Sequence, residues 1–314
     1  MISFIVIGQN EGWKLNKCFD SIIKTIEYNK LKSYEILYVD SKSDDDSVQN
    51  AKKYDNIKVI LLKGDCNAAI ARNVGVKESS GDVLFFIDGD MEIVPDKLSV
   101  VYDEKSGISF PFTSGNFQNY YYDNNWNFLN KDNGLYPADS DFYTFTTGGL
   151  FLIETKLWHK FNGMNNRFKK SQDIDFALRL AKQGYMLLRK KEIIALHHMI
   201  PYLHKERKWK SFFNNLYARS FLYRHNILNK YAWKRILRND TSVCIMIVSF
   251  LSFITLKILF FSLPLYLLYI LIKSFRTKKN YLSNFIYFIL RDFLVLFGFF
   301  FFYPRRSNEI YEVL

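Results

Sequence analysis

Val83-Leu84-Phe85-Phe86-Ile87-Asp88-Gly89-Asp90 decides how this chain is read. An unbroken apolar run marks a strand buried on both faces. Two carboxylates two positions apart follow it directly and converge on one point. Hard oxygen ligands so placed suit Mg²⁺ or Mn²⁺. Taken alone, the same pattern also fits a plain acidic turn.

Three more strands lie upstream. Ile2 to Ile7, Tyr34 to Val39 and Ile57 to Leu62 are short apolar runs. Helical patterns separate them. The first opens at Asn10 or Glu11, reaches about Tyr28, and sets Leu15, Phe19, Ile22, Ile23 and Ile26 on one face. A short helix ends near Tyr54, and a third runs from Asn67 to Lys77. The β-α-β-α-β-α-β order predicts an α/β fold: a mainly parallel central sheet with helices on both faces. Such sheets bind ligands at the carboxyl ends of their strands, where Asp40 and Asp88 stand.

Downstream, residues 113–146 are rich in Asn, Tyr and Asp with weak periodicity, and read as loops around the mouth of the site. A further helix is predicted from Ser171, as its N-cap, to Gln183, with Gly184 ending it.

Candidate site residues fall along this frame. Arg72, in Ala71-Arg72-Asn73-Val74-Gly75, can meet a phosphate. Asp40 can accept hydrogen bonds from a base or ribose, and Asp44 opens the short second helix. Asp173, in the first turn of its helix, can act as a general base. His197 and His198 are possible metal ligands. Each has a plainer reading alone: a surface arginine, turn aspartates, a first-turn acid favourable to the helix dipole, ordinary imidazoles.

The net charge is +12. Many basic residues lie between Lys205 and Arg238, just before a long apolar stretch. That placement points to an anionic membrane surface and not to nucleic acid. Ile2 to Ile7 is too short for a signal peptide and Gln9, Asn10 and Glu11 follow it, so the N-terminal part is expected to fold in the cytoplasm. Cys18, Cys66 and Cys244 form neither a disulfide framework nor a zinc pattern and read as buried apolar thiols. Ser242 to Ile272 is almost wholly apolar, charged only at Lys257 and interrupted by Pro264. One straight helix there would be about 46 Å long, against a hydrocarbon core of about 30 Å. The expectation is a hairpin-like pair bent near Pro264 with both basic flanks on the cytoplasmic side. Tyr281 to Tyr303 is apolar again, apart from Arg291-Asp292, and either spans or lies in the interface.

The motifs together, in their order, resemble family-2 glycosyltransferases of the GT-A fold, a Rossmann-like architecture. The resemblance rests on Ile5-Val6-Ile7-Gly8-Gln9-Asn10-Glu11, Val39-Asp40-Ser41-Lys42-Ser43-Asp44-Asp45, Ala71 to Gly75, and Gly81 to Asp90. It continues through Gly148-Gly149, Phe161-Asn162-Gly163, Gln172-Asp173, Arg179-Leu180 and Gly184-Tyr185. It covers about residues 1–200. In one place the chain departs: the family's Glu-Asp is Gln172-Asp173 here.

The resemblance implies a catalytic domain over 1–200, basic-aromatic juxtamembrane helices over 201–241, hydrophobic membrane helices over 242–303, and a short tail over 304–314. It implies inverting transfer from a nucleotide-diphosphate sugar, UDP-linked first, to a hydroxyl of a glycan or a polyprenyl-diphosphate-linked acceptor. Asp173 would be the base. Asp90 would hold Mn²⁺ or Mg²⁺, Asp88 would assist through the ribose or the metal shell, and His198, ahead of His197, would complete the metal or diphosphate contacts. Asp40 and Asp44 would face the nucleoside and Arg72 the diphosphate, with Asn10 and Glu11 among the donor-binding residues. The tail resembles bacterial exopolysaccharide and lipid-linked glycan transferases, placing the protein at the cytoplasmic membrane with its catalytic domain facing the cytoplasm. A polyprenyl-phosphate hexose synthase is the nearest alternative; Met91-Glu92-Ile93-Val94-Pro95 departs from the run those enzymes carry after Asp-x-Asp. A membrane-anchored nucleotide-sugar-binding module with a degenerate site is the non-enzymatic one.

Overall fold

The structure is a computed structural model describing residues 1–136, 138–200, 216–256, 259–276 and 280–314. The chain forms two compact units, Met1–Arg207 with Arg305–Leu314, and Lys208–Pro304.

The first unit is built on a mixed sheet. β1 (Ile2–Gly8), β2 (Tyr34–Asp40), β3 (Ile57–Leu62) and β4 (Val83–Asp88) are parallel, in the spatial order β3-β2-β1-β4. β5 (Met91–Ile93), β6 (Phe112–Tyr122), β7 (Phe128–Lys131), β8 (Phe142–Thr144), β9 (Phe151–Glu154) and β10 (Leu187–Met199) extend it on the β4 side. There β9 pairs antiparallel with both β4 and β6, and β10 runs parallel to β6.

Strand alternation divides the core. Phe4, Val6 and Tyr38 face α1 (Trp13–Tyr28), meeting Leu15, Cys18, Phe19 and Ile22. Ile5, Ile7, Leu37 and Val39 face the other way, towards α3 (Ala68–Lys77), α4 (Thr155–Lys160) and α5 (Gln172–Lys182). Between these helices α2 (Ser47–Ala51) is short. Each fully buried large side chain contributes about 1.5–3 kcal/mol by leaving water. Gly75 lets α3 lie close to β1: a Cβ there would come within 2.5 Å of Ile5 Cγ2.

Four local readings are corrected. Helix α1 starts at Trp13, because Asn10 and Gly12 hold left-handed backbone (φ 58° and 53°) and the Glu11 and Gly12 N–H groups donate to Ser47 Oγ. Residues 112–122 are an interior strand and not loop. Its polar side chains are buried and paired inside the protein, so no apolar alternation shows. Thr113 Oγ1 donates to Leu188 O at 3.0 Å, Ser114 Oγ to Leu150 O at 2.7 Å and Asn116 Nδ2 to Tyr136 O at 3.1 Å. Ser171 precedes α5 but gives no side-chain cap; its backbone is left-handed, φ 64°. Finally the last residues form a strand, β11 (Tyr311–Val313), pairing antiparallel with the β3 edge. Tyr311 Oη donates to Glu78 and Lys63 pairs with Glu312.

The second unit is helical. Residues 216–225 are helical, and the helices Lys230–Asn239, Thr241–Leu256, Leu259–Phe275 and Tyr281–Phe301 follow. Pro264 lies inside the Leu259–Phe275 helix, so the chain does not reverse there. Residues 201–215, with the basic and aromatic positions from His204 to Lys210, lie outside the described residues, as does Lys257.

Candidate active site

The carboxyl ends of β1 and β4, the start of α3 and the start of α5 enclose a cavity of about 400 Å³. Glu11, Arg72, Asp88, Asp90, Gln172, Asp173 and His197 line it. A second cavity of about 290 Å³ adjoins it, sharing Gln9, Glu11, Asp90 and His197 and adding Asn10, Lys14 and Trp126.

Asp88 ends β4. Its Oδ1 accepts from Arg72 Nη2 at 2.6 Å. The carboxylate lies flat against Gly149, where a Cβ would sit 1.8 Å from Asp88 Oδ2. That contact is why this segment needs glycine. Burial raises the Asp88 carboxyl above its usual range, and Arg72 only partly opposes it.

Asp90 follows one turn on. His197 Nε2 lies 3.3 Å from its Oδ2. Burial works against Asp90 ionising, but the hydrogen bond and charge of His197 prevail and hold the carboxyl low. His197 is pushed upward: burial lowers it, and Asp90 and then Asp88 outweigh that. Glu11 reaches about 7, through burial first and the charge of Asp90 second, with its ion pair to Lys14 opposing.

Asp173 stands in the first turn of α5, and a bracing network orients that helix. Arg179 Nε donates to Asp175 Oδ2 at 2.9 Å, while its two terminal nitrogens donate to Phe161 O and Gly163 O, each at 2.7 Å. Asn73 Nδ2 donates to Met164 O at 2.7 Å. The Phe-x-Gly turn, the Arg-Leu pair and the Asn after Arg72 thus hold the start of α5 towards β4. Burial raises the Asp173 carboxyl, with Arg72 opposing.

Three buried polar atoms on cavity residues have no hydrogen-bond partner among the described residues: Arg72 Nε, Asp90 Oδ1 and Gln172 Oε1. Such groups cost about 1–3 kcal/mol each when left unpaired. An orphaned carboxylate oxygen beside an imidazole fits a cation. Among the described residues no cluster of three or more His, Cys, Asp or Glu stands ready as a metal centre.

Glu11, Arg72, Asp88, Asp90 and Asp173 come together. Asn10 lines only the second cavity. Asp40 lines neither; its carboxylate accepts from Tyr38 Oη at 2.8 Å and from the backbone and hydroxyl of Ser43. Asp44 is exposed and lines neither cavity. His197 lines both cavities, whereas His198 lines only the second. Successive strand residues face opposite ways: His197 meets Asp90, while His198 is bound by Glu92 at 2.7 Å and Tyr122 at 2.8 Å. Cys66, Asn67 and Ser41 also line the first cavity, and nothing in their spacing marked them; Cys66 is therefore not an interior thiol.

The profile of Glycosyl transferase family 2 matches residues 3–181. The chain belongs to that family. The match runs from β1 through nearly all of α5, so of the cavity residues named only His197 lies beyond it. Glycosyltransferase AglE of Haloferax volcanii is 34% identical over 93 residues, covering 28% of this chain and 30% of that protein. The chain therefore spans under a third of that relative. The structure of Staphylococcus aureus TarS residues 1–349 with UDP-GlcNAc superposes with TM-score 0.52 at 17% identity, over 70% of this chain and 65% of that one. GalNAc-T7 with UDP, GalNAc and Mn²⁺ gives TM-score 0.51 at 15% identity, over 71% and 50%. These structures share the GT-A fold with this family-2 chain.

Proposed function

We propose that the first unit transfers a sugar, with inversion, from a nucleotide-diphosphate sugar to a hydroxyl of a glycan or lipid-linked acceptor in cell-surface polysaccharide synthesis. UDP-sugars are the first candidates, since TarS carries UDP-GlcNAc and GalNAc-T7 carries UDP. The observation carrying the proposal is the set of unpaired polar atoms on Arg72, Asp90 and Gln172, three residues that line one cavity with Asp173.

Asp173 takes the proton of the acceptor hydroxyl as the oxygen attacks the anomeric carbon. The bond to the diphosphate breaks, and the nucleoside diphosphate leaves with the electron pair. Arg72, held by Asp88, faces the diphosphate. Asp90 and His197, with Asp88 nearby, would hold Mn²⁺ or Mg²⁺, whose charge neutralises the leaving diphosphate. Ser41, Cys66 and Asn67 place the nucleoside at the β1–β3 side of the cavity. Glu11 and Asn10 edge the passage to the second cavity.

The second unit is proposed to seat the protein on the cytoplasmic face of an anionic membrane. Among the described residues one helix, Tyr281–Phe301, is long and apolar enough to cross a bilayer. A polyprenyl-diphosphate-linked acceptor accounts for such a unit in the same chain.

The test uses membranes containing the full chain, Mn²⁺, a panel of UDP- and GDP-sugars, and a lipid-linked acceptor. One donor should release nucleotide in step with glycosylated acceptor. No release from any donor, or an acid-labile monosaccharide phospholipid as product, would overturn the proposal.

A further inference from the structure

The helix Tyr281–Phe301 has the length and hydropathy of a transmembrane span. We infer that it does not cross the membrane, and that the helical unit inserts from one face only, with bilayer hydrocarbon as the partner of its outer surface. The inference rests on the membrane reading above and decides its topology.

The first support is parity. Residues 311–313 pair with β3, so the chain after the last helix belongs to the same folded sheet as the chain before the first. A sheet cannot be divided by a bilayer. The crossings between residues 200 and 305 must therefore be even in number. The helices Thr241–Leu256 and Leu259–Phe275 form an antiparallel hairpin whose open ends meet, Lys273 Nζ lying 3.4 Å from Ser242 Oγ. Met246 packs with Tyr266 and Ile270 along it. A hairpin enters and leaves on one side, so its contribution is even. Among the described residues Tyr281–Phe301 is the one other helix long and apolar enough to cross, and it must then also begin and end on one side.

The second support is what that helix touches. Its C-terminal half packs on residues the chain has traversed before entering the hairpin. Ser220 Oγ donates to Val295 O at 2.9 Å, and a Cβ on Gly298 would meet Ser220 Oγ at 2.7 Å. Arg224 donates to the carbonyls of Phe299 and Phe302, at 2.7 and 2.6 Å, closing the helix end. In mid-helix, Arg291 Nη2 reaches Ser242 Oγ at 2.6 Å. That hydroxyl stands at the mouth of the hairpin.

The third is inverted polarity. Arg291 and Asp292 point inward, 6% and 0% exposed, whereas Leu282, Phe293 and Phe297 are 75%, 59% and 56% exposed. Arg291 pairs with Asp292 at 2.6 Å and approaches Asp240 at 3.7 Å, and Asp240 also takes Arg219 at 2.9 Å. Charges inside and large apolar side chains outside suit lipid as the surrounding medium. Each hairpin helix is about 24–26 Å long, short of the roughly 30 Å core, as one-sided insertion requires.

The experiment fuses an epitope after Leu314 and a second before Met1 in the otherwise unchanged chain. Carbonate-washed membranes and protease digestion of intact and permeabilised spheroplasts are then compared. The expected result is a membrane-retained chain with both epitopes protected until permeabilisation. A retained chain whose C-terminal epitope alone is cleaved in intact spheroplasts would overturn the inference and leave the membrane reading standing. A chain recovered in the soluble fraction would overturn the membrane reading, and the inference with it. Separately, Phe293→Glu with Phe297→Glu should at least halve membrane retention. Unchanged retention would show that this face does not meet lipid and would overturn the inference.

Discussion

Both units bury charge, and they treat it differently. In the helical unit Arg291 is met by Asp292, Ser242 and Asp240. The charges answer one another, and the cluster fastens helices together. In the sheet unit Arg72, Asp88, Asp90, Gln172 and Asp173 surround open space, and several of their polar atoms lack partners among the described residues. Satisfied buried charge marks architecture. Buried polar groups left unsatisfied around a cavity mark the place a ligand completes.

The sharpest way to break this comparison is to exchange one residue from each cluster. Asp173→Asn keeps the shape and removes the proposed base. Sugar transfer should fall by about 10²- to 10⁴-fold, with the thermal midpoint nearly unchanged in a detergent-solubilised melt. Arg291→Met should do the reverse. Breaking a buried ion pair costs about 3–5 kcal/mol, visible as a lower unfolding midpoint, while turnover per folded molecule holds. If Asp173→Asn lowered the unfolding midpoint as Arg291→Met does, the distinction between the clusters would fail.

The next effect is a pH shift. Burial raises the Asp173 carboxyl and Arg72 opposes the rise. As the proposed base, Asp173 must be ionised, so kcat should fall as pH drops through a midpoint above the ordinary aspartate range. Arg72→Met removes the opposing cation, and the acid limb should move to higher pH. A limb that stayed in place would deny the coupling between the two residues.

Much of this was legible in the chain. The four parallel strands, the helices between them and the Asp88–Asp90 turn follow from periodicity, because buried parallel strands write continuous apolar runs. β6 was not legible, since Thr113, Ser114, Asn116 and Asn119 are polar residues paired within the interior. β11 was missed because three residues at an edge carry no period. His197 against His198 was undecidable: the alternation says that only one faces Asp90, and strand register, a tertiary property, says which. Pro264 reads as a break, yet it sits within a helix.

The smallest predicted effect concerns Gln172. Its side chain lines the cavity with Asp173, and its Oε1 is unpaired among the described residues. Gln172→Glu restores the acid of the family pattern, and acceptor KM should change within about tenfold, the scale of one hydrogen bond. Donor KM should hold. A larger change in donor KM would move Gln172 to the nucleotide side.

On the proposed function, the cavity at the ends of β1 and β4 binds a nucleoside diphosphate through Asp90 and a divalent cation. Titration calorimetry of UDP onto the full chain, with and without Mn²⁺, tests it most directly, in wild type and in Asp90→Ala. Mn²⁺-dependent binding is expected in the wild type, with loss of that dependence in the variant. Equal binding by both proteins, with or without Mn²⁺, would contradict it.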